Sequence, residues 1–117
     1  MGYRSPPETD VIVELDLYSG RPNPRWRLDD ETSRTFRGLV ADLAPTTAPP
    51  ATPPGLGYRG FVVTDGAQTY RIFGGLVATG DSVLADSGRT LEHWLLGGLP
   101  ERYAALRPTV TQAMGNG

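Results

Sequence analysis

The chain has 117 residues, enough for one domain with a single modest core. It carries a net charge of −2, eleven basic residues that are all arginine, and no cysteine. Disulfides, thiolate nucleophiles, cysteine-bound zinc, Schiff-base chemistry and the phosphate lysine of a P-loop are therefore excluded. The missing basic excess argues against a general nucleic-acid binder, and no window approaches the ~18 apolar residues of a membrane span. Neither nucleic acid nor membrane is expected as a partner. Exclusive use of arginine, with abundant Ala, Gly and Pro, fits a GC-rich coding genome.

Residues 1–9 read as a flexible arm, because Pro6-Pro7 cannot continue a helix. The first ten residues contain no apolar run of the secretory kind, so a cytoplasmic location is expected. Residues 10–18 form the clearest strand. Val11, Val13, Leu15 and Leu17 fall on one face and Ile12, Glu14, Asp16 and Tyr18 on the other.

The stretch Ser19–Arg27 then concentrates three arginines, two prolines and a tryptophan. Pro22 and Pro24 fix their own φ and hold Arg21 and Asn23 in extended conformations. Asn23 is suited to an Asx-type turn onto nearby backbone. A loop so stiffened loses little entropy on binding, and Arg and Trp are common hot-spot residues. Arg21, Asn23, Arg25, Trp26 and Arg27, with Tyr18 and Arg71 nearby, are the expected binding residues. The competing reading is a rigid connector, with Trp26 in the core and the arginines paired with acids.

Trp26 and Leu28 alternate with Arg25 and Arg27, as in a short extended piece. Asp29 or Asp30 then caps a helix over residues 30–43, whose Phe36, Leu39, Val40 and Leu43 follow the i, i+3, i+4, i+7 spacing. Arg34, Arg37 and Asp42 are placed outward, and Pro45 ends the helix. Residues 45–57 hold five prolines and read as an extended connector inside one domain spanning 10–114, not as a domain boundary.

A hairpin follows, from Tyr58 to Phe73, turning at Asp65-Gly66. Apolar residues on both faces make it central. A second short hairpin turns around Thr79-Gly80-Asp81. Asp86 or Ser87 caps a second helix ending at Gly97-Gly98, Pro100 starts another short helix, and Pro108 starts a last turn.

The fold class is thus α+β: a small, mostly antiparallel sheet with two main helices on one face. The first strand has connections long enough for either orientation.

Chemistry is scarce. His93 is the only histidine and sits between Glu92 and Trp94 on a helix, pointing to a surface residue rather than a metal ligand or general base. No cofactor is implied. Two functions are compatible with these residues. The first is a non-catalytic binding or accessory protein using the 19–27 loop on a protein partner or a small anionic ligand. The second is a cofactor-independent enzyme with a pocket of Tyr18, Asp16, Arg71 and Tyr70.

Overall fold

The computed structural model describes residues 10–18, 22–49 and 57–115. In chain order the strands are β1 (Val11–Tyr18), β2 (Arg25–Arg27), β3 (Ala44–Pro45), β4 (Gly57–Asp65), β5 (Gln68–Phe73), β6 (Leu76–Thr79) and β7 (Ser82–Ala85). The helices are α1 (Asp30–Ala41), α2 (Thr90–Gly97) and α3 (Arg107–Gly115), with 3-10 segments at Ser87–Arg89 and Glu101–Leu106. Among the described residues all seven strands join one open sheet in the order β2-β1-β4-β5-β6-β7-β3, and every pairing is antiparallel. This is the expected α+β fold, and it settles the orientation of β1.

Period-two alternation sorts the side chains. Val13 pairs with Trp26 on one side and Val63 on the other, and Val63 pairs with Tyr70, so these four share a face. On that face lies the core: Val11, Val13, Leu15, Phe61, Val63, Ile72 and Val77 are fully buried. Phe36 of α1 lies edge-on to Tyr70 at 5.4 Å and stacks on Trp94 of α2 at 6.5 Å, so both helices cover this face. Leu91, Leu95 and Leu96 of α2 and Val110 and Met114 of α3 complete the core.

Three details depart from the sequence reading. Helix α1 stops at Ala41, because Leu43 bonds back to Val40 and the chain then pairs Ala44 and Pro45 with β7. Pro45 is tolerated there because β3 is an edge strand. The first hairpin turns at Gly66-Ala67, since Asp65 is still paired with Gln68. Gly66 supplies the left-handed φ of 66° that this turn needs. Asp65 is engaged by Arg37, whose Nε and Nη2 donate at 2.9 and 3.1 Å, so Arg37 leans across the sheet end instead of facing solvent.

Two further carboxylates organise the helix side. Asp86 is 1% exposed, and its two oxygens accept from the N–H groups of Leu91 and Glu92 at 2.8 and 3.1 Å, capping α2. Glu92 is fully buried and accepts from the Tyr58 hydroxyl, from Gly74 N–H at 3.1 Å and from Arg89 Nε and Nη2 at 3.0 and 3.2 Å. Arg89 also donates to the Met114 carbonyl at 3.0 Å and so ties α3 to α2.

Burial, then the neighbouring Glu92 charge and its hydrogen bond, push the Tyr58 hydroxyl above its ordinary value of 10.0. A raised folded-state value means the neutral form is held. The stability it carries is whole below the ordinary tyrosine value and is lost as pH rises beyond it. Tyr58→Phe is expected to cost about 1–2 kcal/mol at neutral pH. It is also expected to flatten the fall in denaturation midpoint as pH rises past 10.0, which guanidinium melts at several pH values would show.

Candidate ligand-binding cleft

The described part of the proline-flanked stretch is stitched to β1. Leu15 N–H donates to Pro24 O at 3.0 Å, and Leu17 N–H donates to the Asn23 side-chain oxygen at 3.0 Å. Asn23 Nδ2 donates to Glu14 Oε2 at 2.7 Å and reaches Asp16 Oδ1 at 3.5 Å. Asn23 therefore closes onto the preceding strand, not onto its own turn, and its amide is used internally. With the loop pinned in register, β2 follows the strand alternation: Arg25 exposed, Trp26 buried, Arg27 exposed.

The burial of Trp26 corrects the expectation of an indole presented with the arginines. Its ring lies on the core face opposite Val13, 7% exposed, with the Tyr103 ring 6.2 Å away. Its indole N–H is buried and meets no acceptor among the described residues. The arginines stay outside. Arg25 approaches Glu14 at 3.7 Å with its side chain 64% exposed, and Arg27 approaches Asp10 at 3.5 Å with 66% exposed. Ion pairs this long and this wet hold little energy.

The other expected residues divide between the two faces. Arg71 donates to Asp16 at 3.2 Å, and Arg59 lies 3.6 Å from the same carboxylate, all on the sheet face away from the helices. Tyr70 is on the helix-covered face, where burial and the nearby Asp65 charge raise its pKa. Asp16 and Arg71 are thus brought together, while Tyr70 is separated from them by the sheet. Arg21 lies outside the described residues, as does the side chain of Tyr18. His93 is exposed on α2, and no three His, Asp or Glu side chains among the described residues are grouped to hold a metal ion. None of the described helices is long and apolar enough to cross a membrane.

A concavity of about 610 Å³ opens where the β2–α1 connection faces the end of α2. Its walls come from Trp26, Arg27, Leu28, Asp29 and Thr32 on one side and Trp94, Leu95, Gly97, Gly98, Pro100 and Arg102 on the other. The volume lies within the ~300–1,000 Å³ usual for small-molecule sites. Both tryptophans of the chain line it.

Asp29 is committed to the helix: its Oδ1 accepts from Thr32 N–H at 2.8 Å and Thr32 Oγ1 at 2.7 Å. The Thr32 backbone bond, followed by the Thr32 hydroxyl, holds the Asp29 carboxyl below its ordinary 3.8. A depressed folded-state value means the cap is whole above 3.8 and is lost as pH falls through the lower, folded value. Carboxylate NMR titration is expected to find Asp29 titrating below 3.8 and to find that shift reduced but not removed in Thr32→Val, which loses the hydroxyl and keeps the backbone bond.

Arg102 closes the far rim. Its guanidinium sits over the Tyr103 ring at 4.8 Å and donates to the Arg25 carbonyl at 3.2 Å. The hydrogen bond from Arg102 in turn draws the Tyr103 hydroxyl below its ordinary value. Sequence reasoning missed Arg102, Trp94 and the glycine pair as site residues. The Gly-Gly-Leu-Pro sequence after an apolar helix marked only a chain reversal.

No protein-family model, curated protein or solved structure matches this chain.

Proposed function

We propose that this is a small, non-catalytic binding protein of the cytoplasm whose working surface is built on the 22–28 stretch and the facing end of α2. The observation that carries this reading is the concavity itself: it is walled by both tryptophans and by residues that β1 and the α1 cap hold rigidly. Preorganised walls spare the ordering cost of binding. The working ligand is a small molecule. The stiff loop acts through its backbone position and the Trp26 ring, with the Arg25 and Arg27 side chains on the opposite sheet face.

Gly97 provides a clean test. A Cβ there meets nothing within 4 Å, and Gly97 has no left-handed φ, so Gly97→Trp fills the opening without strain. In a saturation-transfer NMR screen of small fragments, binders are expected to the wild type and not to Gly97→Trp. Fragments that bind both proteins equally, or none that binds either, would count against the reading.

A second reading is a protein partner docking on the exposed guanidinium groups of Arg25 and Arg27, and their exposure of 64 and 66% favours it. The single variant Arg25→Ala, outside the cleft wall, would weaken such docking and leave the cleft's fragments bound.

A further inference from the structure

We infer that the ligand of this cleft is a flat, apolar body bearing one anionic group, of the aromatic carboxylate class, with Arg102 as the group that receives the anion. This rests on the binding reading above and narrows it to a ligand chemistry.

The apolar component follows from the walls. Trp26, Leu28, Trp94, Leu95 and Pro100 offer faces and edges of rings and branched side chains. Flat aromatic ligands gain most from such walls, by area burial and by stacking.

The anionic component follows from Arg102. Among the described residues, Arg25, Arg27, Arg37, Arg59, Arg71 and Arg89 each have a carboxylate within 4 Å. Arg102 lines the cleft and has none among the described residues. It is nonetheless held in place, by the Tyr103 ring beneath it and by the Arg25 carbonyl, which takes one Nη2 bond. A guanidinium has five donors; the Arg25 carbonyl and the Tyr103 hydroxyl engage two of them, and the remaining donors are available to a carboxylate. The one carboxylate in the wall, Asp29, is already bonded to Thr32 N–H and hydroxyl. It acts as a negative counter-wall that restricts the ligand to a single anionic group at the Arg102 end.

The test is isothermal titration of 2-naphthoate and of 2-naphthalenemethanol, which has the same ring and no charge. Wild type, Arg102→Ala, Arg102→Lys and Gly97→Trp are compared, each checked by circular dichroism. Naphthoate is expected to bind the wild type at least ~10-fold more tightly than the alcohol, as charge-assisted hydrogen bonds imply. Arg102→Ala should remove that difference, Arg102→Lys should restore part of it, and Gly97→Trp should abolish both interactions.

Equal binding of acid and alcohol, unaffected by Arg102→Ala but blocked by Gly97→Trp, would overturn the anion class and leave the cleft as the site. Failure of both probes to bind the wild type would overturn the aromatic carboxylate class, and the fragment screen then decides separately whether the cleft binds anything. Naphthoate binding that survives Gly97→Trp would overturn both.

Discussion

Replacing Glu92 with alanine is expected to lower stability by about 3–5 kcal/mol, the cost of stripping one partner from a buried, hydrogen-bonded charge pair. Glu92 is 0% exposed, and the Arg89 side chain that meets it is 18% exposed. Alanine would leave the Tyr58 hydroxyl, the Gly74 N–H and two guanidinium donors without their acceptor. The loss is not local. Arg89 also holds the Met114 carbonyl, and Asp86 bonds the Glu92 N–H, so α2, α3 and the sheet end share one network. At roughly 4 °C per kcal/mol for a chain of this size, the melting temperature should fall by roughly 12–20 °C. Thermal circular dichroism measures this directly, and a loss below about 1 kcal/mol would show that the network is not cooperative. A double-mutant cycle of Glu92→Ala with Arg89→Ala should return a coupling above about 1 kcal/mol.

Gly60→Ala is the second substitution with a large expected effect. Gly60 has φ of +101° in the irregular part of the β1–β4 pairing, where the register shifts between Leu15 and Leu17. A methyl group there would sit 2.4 Å from the Ile72 carbonyl oxygen and 2.8 Å from the Phe73 Cβ. Both obstacles belong to the neighbouring central strand, so neither gives way cheaply. Backbone strain and overpacking together are expected to cost roughly 3 kcal/mol or more. Gly80→Ala is the control. Its φ of +55° is also left-handed, yet an added Cβ meets nothing within 4 Å, so only the conformational cost of about 1–2 kcal/mol remains. Denaturation midpoints of the two variants should therefore differ, with Gly60→Ala far lower. Equal losses would mean that β4 and β5 are not packed as closely as described.

Most of the fold was legible in the sequence because it follows local periodicity. Alternation marked β1, the two hairpins and the short piece containing Trp26, while i, i+3, i+4 spacing and Asp29 marked α1. The missing pieces depended on distant partners. Ala44–Pro45 became a strand only because β7 offered a free edge, and nothing near Pro45 encodes that.

Glu92 was read as a neighbour of His93. The apolar stripe of Leu95, Leu96 and Leu99 places residue 92, three, four and seven positions back, on the buried face. Arg89, at i−3, was the available sign of a paired carboxylate.

The Ser19–Arg27 stretch stands out in the sequence by its composition, and strand pairing divides its described part. Trp26 goes inward to wall the cleft, and Arg25 and Arg27 go outward. Arg102 could not have been found from spacing, because the Arg25 carbonyl that holds it is 77 residues away in sequence and meets it only after the ends of the domain come together.

The chain has two tryptophans, so a ¹H–¹⁵N correlation spectrum contains two indole N–H signals, and both residues line the cleft. Titration with 2-naphthoate is the most direct measurement of where this protein binds. The expected result is movement of both indole signals together with the amides of Leu28, Thr32, Gly97 and Gly98. Shifts confined to Asp16, Arg59 and Arg71, with both indole signals unmoved, would place the working surface on the opposite face of the sheet and contradict the assignment.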